Sequence, residues 1–200
     1  MQTERILLRP WKDSDAEALY KYASDPEVGP RGQGNAHTRT ETRIEKMIRK
    51  AQIQDIETIC RLLEQVLKVH HAGRPDLFRE SGKKYDEKAL QEMLHCPENP
   101  IFVYEEDGAV LGYIMCQEHS ISGSALKSVK TLYIDDLCVE EKARGKGVGK
   151  KLFQFVKDYA QENSFYNITL HVWEGNPGAK QFYESLGLKP QYTNLELIIK

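Results

Sequence analysis

The stretch from Lys130 to Trp173 limits the fold more than any other part of this 200-residue chain. A β-rich segment, Lys130 to Val139, leads into Arg144-Gly145-Lys146-Gly147-Val148-Gly149. Val148, Leu152, Phe155, Val156 and Tyr159 then recur at three- and four-residue steps, one face of a helix, before a second strand segment, Asn167 to Trp173. Strand, helix and strand in that order require a crossover and a parallel pair, and such crossovers are right-handed. The expected class is therefore α/β, with a mixed α+β sheet.

The flanking patterns extend the sheet. A short strand is expected around Lys46 to Ala51, then a helix over 53–69 carrying Ile56, Ile59, Cys60, Leu63, Val66 and Leu67 on one stripe. His70 to Lys84, with Gly73, Pro75 and Gly82, reads as a loop before a second amphipathic helix, Tyr85 to His95. Ile101 to Tyr104 and Val110 to Cys116 are strands joined at an Asp107-Gly108 turn. A polar Ser/Gly loop separates them from Lys130. A last helix, Pro177 to Leu186, opens after Asn176 as N-cap and stops at Gly187, and Leu195 to Ile199 can close the sheet as a final strand.

Residues 1–40 form a separate question. Arg9, Asp15, Glu17 and Leu19 return forty positions later as Arg49, Asp55, Glu57 and Ile59, and Ser14 with Glu17 makes a capping box. This reads either as a second copy of one strand–helix unit, ending in the Gly/Pro-rich run Gly29 to Asn35, or as a chance match. The expected division is a strand–helix appendage and linker over 1–40 and one main domain over 41–200, with 40% hydrophobic residues supporting one core.

Glycines at 145, 147 and 149 between a strand and a helix allow close backbone approach and turn N–H groups outward at the positive end of the helix, the makings of a pyrophosphate nest. Two other nucleotide motifs do not fit. A Walker A loop would need glycine where Arg144 stands and Ser or Thr where Lys151 stands, and the dinucleotide fingerprint begun at Gly145 would need glycine at Lys150. The formal charge of −2 gives no reason to expect nucleic acid or an anionic membrane as partner. Cys60, Cys96, Cys116 and Cys138 form no C-x-x-C pair or zinc-ligand spacing, so no metal is expected and reduced thiols are. The start MQTERILLRP has no apolar signal core, and a soluble, cytoplasmic chain is expected.

Arg144, Gly147 and Gly149 meet the pattern Gln/Arg-x-x-Gly-x-Gly/Ala, and Asn176 to Leu188 reads N-x-x-A-x-x-F-Y-x-x-x-G-L. In this order and separation the motifs resemble the GNAT superfamily of N-acetyltransferases, over roughly residues 46 to 199. The opening TERILLRPWKDSDAEAL resembles the start of a different branch, the ribosomal-protein N-terminal acetyltransferases, and then breaks off. The resemblance implies a mostly antiparallel sheet with a splayed parallel pair, about four helices and acetyl-CoA as co-substrate. It implies pantetheine bonds to the main chain of Leu137, Cys138 and Val139. It further implies a pyrophosphate site at Arg144, Gly145, Lys146, Gly147, Val148, Gly149 and Lys150, with Asn176 nearby. Tyr183 matches the tyrosine that protonates the CoA sulfur, against a packing role, and Asp135 matches a carboxylate proposed as base in polyamine acetyltransferases, against a structural one.

Strand alternation sends Asp135 and Asp136 to opposite faces unless a bulge intervenes, so at most one is expected to face the acceptor. His171 reads as a packed or hydrogen-bonded strand histidine, and Cys138 as a bystander in a reaction of direct amine attack. By resemblance, His70, His71, Arg74, Asp76 and Phe78 lie in a loop that covers the acceptor; they either set specificity or only cap and solvate that loop. The leading function is acetyl transfer to a primary amine of a small molecule or peptide, with homodimerisation as a family habit. The rival is a silent acyl-CoA-binding regulatory module.

Overall fold

The structure, a computed structural model, describes residues 47–199; the appendage and linker expected over 1–40 lie outside them. The elements are β1 (Ile48–Lys50), α1 (Ile56–Gly73), α2 (Glu87–Leu94), β2 (Ile101–Glu106), β3 (Ala109–Gly123), β4 (Leu126–Val139), α3 (Val148–Glu162), β5 (Asn167–Leu170) and α4 (Pro177–Ser185). Five strands form one sheet in the order β1-β2-β3-β4-β5, antiparallel except for the parallel pair β4–β5. This is the mixed α/β arrangement expected. Among the described residues no helix is long and apolar enough to cross a membrane.

Each face of the sheet carries its own core. On one, Leu152 and Val156 of α3 pack on Phe102, Ile114, Leu132 and Ile134. On the other, Ile59, Leu62 and Leu63 of α1 and Leu90 of α2 pack on Val103, Tyr113 and Met115. Neighbours in β3 alternate between the two: Tyr113 and Met115 belong to the α1 side, Ile114 and Cys116 to the α3 side. The β2–β3 hairpin turns at Asp107 and Gly108, with φ of +52° and +76°. Two successive left-handed residues match the right-handed twist of the strands, which is why Asp-Gly marks the turn.

Several boundaries differ from the sequence reading. A 3₁₀ turn, Ile53–Asp55, precedes α1, and the helix continues to Gly73, carrying His70 and His71 in its last turn where the helix end favours positive charge. Asp86 caps α2 by accepting the Ala89 N–H at 2.8 Å, so Tyr85 lies before that helix. Most of the polar Ser/Gly stretch is not a loop: β3 and β4 stay paired through it, with one register shift between Ile121 and Gly123, supported by the Glu118–Lys130 ion pair at 3.0 Å. β5 ends at Leu170 rather than Trp173. Leu195 to Ile199, expected as a closing strand, form none and pair with no strand among the described residues.

A buried ion pair ties β1 to the start of α1. Asp55, 4% exposed, accepts two bonds from Arg49 (2.7 and 3.0 Å) and one from the Gln52 N–H (2.7 Å), and Arg49 also reaches Glu105 of β2 at 2.8 Å. Burial pushes the Asp55 carboxyl up, but the bonds from Arg49 and Gln52 outweigh it and hold the group below the usual aspartate value. A depressed folded value stabilises the fold above the unfolded pKa of about 3.9, and the stabilisation is lost as pH falls through the folded value. Asp55→Ala should therefore lower stability by about 3 kcal/mol at neutral pH, and the difference from wild type in urea unfolding should shrink as pH falls below the unfolded aspartate value of about 3.9.

Candidate active site

The Arg144–Gly149 loop ends in the first turn of α3. Gly147 is the N-cap, with φ +79°, and Gly145 has φ +76°. A Cβ at either would meet nothing within 4 Å, so left-handed backbone rather than crowding calls for glycine. The first bond of the helix runs from the Lys151 N–H to the Gly147 carbonyl at 3.0 Å, which leaves the amides of Val148, Gly149 and Lys150 without helical partners. Gly149 is needed for a different reason. A Cβ there would lie 3.3 Å from the Phe182 ring and 3.6 Å from Val139, so its absence lets α4 and β4 close on the start of α3. Gly145, Lys146 and Lys150 are exposed around this turn, whereas the Val148 side chain is buried in the core and offers only its backbone. Arg144 folds back, its Nε donating to the Val139 carbonyl at 3.1 Å.

β4 and β5 pair from Thr131–Asn167 to Ile134–Leu170 and no further, so the β4 main chain from Asp135 to Val139 has β3 on one side and no strand on the other among the described residues. The separation starts at an irregularity. Cys116 pairs with Ile134 and Met115 with Asp136, which leaves Asp135 as an extra residue in β4, a bulge. Its effect shows in the cores: Leu132 and Ile134 face α3, but four residues after Ile134, Cys138 faces α1. Both aspartates accordingly meet tyrosines of the α1–α2 side. The Tyr85 hydroxyl donates to Asp135 at 2.9 Å, and the Tyr113 hydroxyl to Asp136 at 2.9 Å. Alternation was expected to separate the two carboxylates unless a bulge intervened, and the bulge at Asp135 is that exception.

The two carboxylates differ in what surrounds them. Asp135, 9% exposed, takes the Lys84 ammonium at 2.9 Å, and its carbonyl receives the same ammonium at 3.1 Å. Asp136 forms no ion pair among the described residues; burial pushes its carboxyl up, opposed by the Tyr113 bond and the Lys84 charge, with Asp135 adding to the rise. Burial and the charge of Asp135 likewise keep the Tyr85 phenol protonated.

Tyr183 lies on α4 against the α3-side core, its ring 6.4 Å from Phe153 and 5.0 Å from Phe182. Burial, with Asp136 and Cys116 adding to it, raises its phenol above the usual tyrosine value, and its hydroxyl bonds no described residue. The Cys138 thiol is pushed up to about 12 by burial and then by Asp136, and sits 3.5 Å from the Leu62 carbonyl, so it stays protonated. Asn176 caps α4, its Oδ1 accepting the Ala179 N–H at 3.1 Å. His171 lies past the end of β5, between the hydroxyls of Tyr133 (3.2 Å) and Tyr192 (2.6 Å).

At the end of α1, His70 stacks on Phe78 at 4.9 Å and Phe78 meets Trp173 edge-on at 5.3 Å. Arg74 lies over Trp173 while bonding Asp76 and Glu196, and His71 Nδ1 lies 2.9 Å from the Phe78 carbonyl. Three of the named loop residues thus meet in one cluster with Trp173. The sequence reading did not name Lys84, Tyr85, Tyr113, Tyr133 or Trp173. Lys84 and Tyr85 carry no motif, since only the fold brings the loop before α2 to the bulge in β4. Tyr113 had a usable signal, a bulky polar side chain in the middle of an otherwise apolar strand.

The Acetyltransferase (GNAT) family profile matches residues 66–188. An uncharacterised N-acetyltransferase of Bacillus subtilis, YhfO, is 31% identical over 142 residues, 70% of this chain and 87% of that protein. The thialysine N-epsilon-acetyltransferase of Bos taurus is 28% identical over 151 residues, 70% of this chain and 82% of that one. The chain spans 65% of the length of a further N-acetyltransferase, from Lactobacillus delbrueckii. A crystal structure of a point mutant of the BH1408 protein from Bacillus halodurans superposes with a TM-score of 0.74 at 30% identity, over 76% of this chain and 99% of that one. With the glycine turn at α3, the parted strands and the tyrosine of α4 in one domain, the chain belongs to the GNAT family and is an N-acetyltransferase.

Proposed function

We propose that the protein transfers an acetyl group from acetyl-CoA to a primary alkylamine of a small molecule or peptide, by direct attack of the amine. The observation that carries this reading is Lys84. Its ammonium is held by the carboxylate and carbonyl of Asp135, over the Tyr85 ring at 5.4 Å, at the point where β4 leaves β5. A group that holds an alkyl ammonium on a flexible stem can hold an acceptor of the same kind. The thialysine acetylase among the relatives acts on such a terminal amine, which supports this acceptor class.

Acetyl-CoA would supply an activated acyl group. The residues fit it: amides of Val148, Gly149 and Lys150 face a pyrophosphate, Arg144 and Lys146 add charge, and the main chain of Leu137, Cys138 and Val139 is open to a pantetheine arm. Asn176 serves this site by capping α4 beside it. An alkyl ammonium with pKa near ~10.4 must lose a proton before it can attack, and Asp135 is the carboxylate placed to receive it once Lys84 swings aside. Tyr183, held protonated, is the donor for the departing sulfur.

Free-thiol release from acetyl-CoA across alkyldiamines, amino acids, aminoglycosides and N-terminal peptides tests the assignment. Tyr183→Phe and Asp135→Asn should each lower kcat on the order of 10²-fold or more, with CoA binding retained. Retained CoA binding with no thiol release on any amine would count against the residue roles, and absent CoA binding against the co-substrate. Lys84→Met should lower KM for the alkylamine several-fold, at some cost in stability because Asp135 loses its counter-ion. An unchanged KM would show that Lys84 does not share the acceptor's place.

A further inference from the structure

Lys84 is a primary alkylamine held by the carboxylate expected to receive the acceptor's proton. Its Nζ lies 2.9 Å from the Asp135 carboxylate and 3.1 Å from the Asp135 carbonyl, so one ammonium takes an oxygen of the side chain and the oxygen of the main chain at the bulge. Tyr85 closes this place from the side, its hydroxyl donating to the other carboxylate oxygen at 2.9 Å and its ring 5.4 Å from the ammonium. The direction of the opening in the sheet makes the position matter. β4 and β5 are paired as far as Ile134–Leu170, and the open main chain runs from Asp135 to Val139. Val139 lies at the amide turn, 3.6 Å from where a Cβ on Gly149 would stand. An arm that starts at that turn and follows the open strand inward ends at Asp135, beside Lys84.

Resting on the acetyl-transfer reading above, we propose that Lys84 is a self-acetylation site: with no alkylamine in place, the enzyme moves the acetyl group of its own acetyl-CoA to Lys84 Nζ. The nitrogen–carbonyl carbon bond forms and the thioester carbon–sulfur bond breaks. Nζ, which begins as an ammonium, loses two protons. One passes to Asp135 and on to water, and the other replaces the proton that Tyr183 gives to the departing sulfur. The products are Nε-acetyl-Lys84, the CoA thiol and one free proton. Acetylation removes the charge, so the side chain no longer pairs with Asp135 and the carboxylate is left to the acceptor. Position, not exposure, selects Lys84. Its side chain is 46% exposed, against 84% for Lys88, which uncatalysed acetylation from solution would favour.

The test is peptide mass spectrometry of the full chain, treated first with a lysine deacetylase and then with acetyl-CoA and no amine. Acetyl should enter Lys84 ahead of Lys83 and Lys88, at a rate unchanged by dilution of the protein, as for a step within one chain. Excess cadaverine, an alkyldiamine, should suppress it, and Tyr183→Phe should slow it on the order of 10²-fold. Lys84→Arg should lose this rapid incorporation while its circular dichroism stays that of the wild type. Protein acetylated beforehand should show a several-fold lower KM for cadaverine than deacetylated protein. Turnover of cadaverine with Lys84 unmodified would overturn the proposal and leave acetyl transfer standing, whereas thiol release on neither would overturn both. Lys83 or Lys88 modified as fast as Lys84, or a rate unchanged in Tyr183→Phe, would mean solution chemistry and overturn it as well. A KM unaltered by the modification would overturn the release of Asp135.

Discussion

One extra residue in β4 determines what the rest of the site can be. β4 stays paired with β3 on both sides of the irregularity, so the strand does not relieve the added residue by ending; it changes face instead. Ile134 points into the α3 core and Asp136 and Cys138 into the α1 side, with Asp135 between them as the residue without a cross-strand partner. A bulge also bends and twists its strand, and β5 stays with β4 only as far as Ile134. The opening between the parallel strands and the pairing of two carboxylates on one face thus share a single backbone cause.

Two adjacent carboxylates on a half-buried face repel each other, and the surroundings divide them. Lys84 neutralises Asp135, while burial raises Asp136 and Tyr113 holds it with one hydrogen bond. The result is two adjacent carboxylates with different partners, and an ammonium is what Asp135 binds. On the other side of β4, Gly149 lets Phe182 close on the start of α3, which fixes α4 and therefore Tyr183 against the same strand. The amide turn, the aspartate and the tyrosine come from three elements that meet at β4.

The features legible in the sequence were those that local chemistry specifies. Asp107-Gly108 must turn a hairpin because both positions take positive φ, Asn176 and Gly187 bracket α4 because helix ends need partners, and the β4–α3–β5 crossover follows from periodicity. What was not legible depends on residues far apart. Nothing in Ile134-Asp135-Asp136-Leu137 marks the bulge, since the irregularity exists only against β3. The stretch from Gln117 to Val129 is polar enough to read as loop, yet the ladder and a Glu118–Lys130 pair make it strand. Leu195 to Ile199 has the pattern of a strand, but pattern alone supplies no edge to pair with.

The forty-residue repeat gains meaning from the second of its two copies. Arg49 and Asp55 form the buried ion pair that joins β1 to α1, and Ile59 is fully buried in the α1 core. Three of the four repeated positions are therefore ones on which this strand–helix unit depends. Their counterparts Arg9, Asp15 and Leu19 lie outside the described residues. The β2 edge at Phe102–Tyr104 is already taken by β1. Through Arg49 that strand also holds Asp55 at the start of α1 and Glu105 of β2, so one side chain joins three elements.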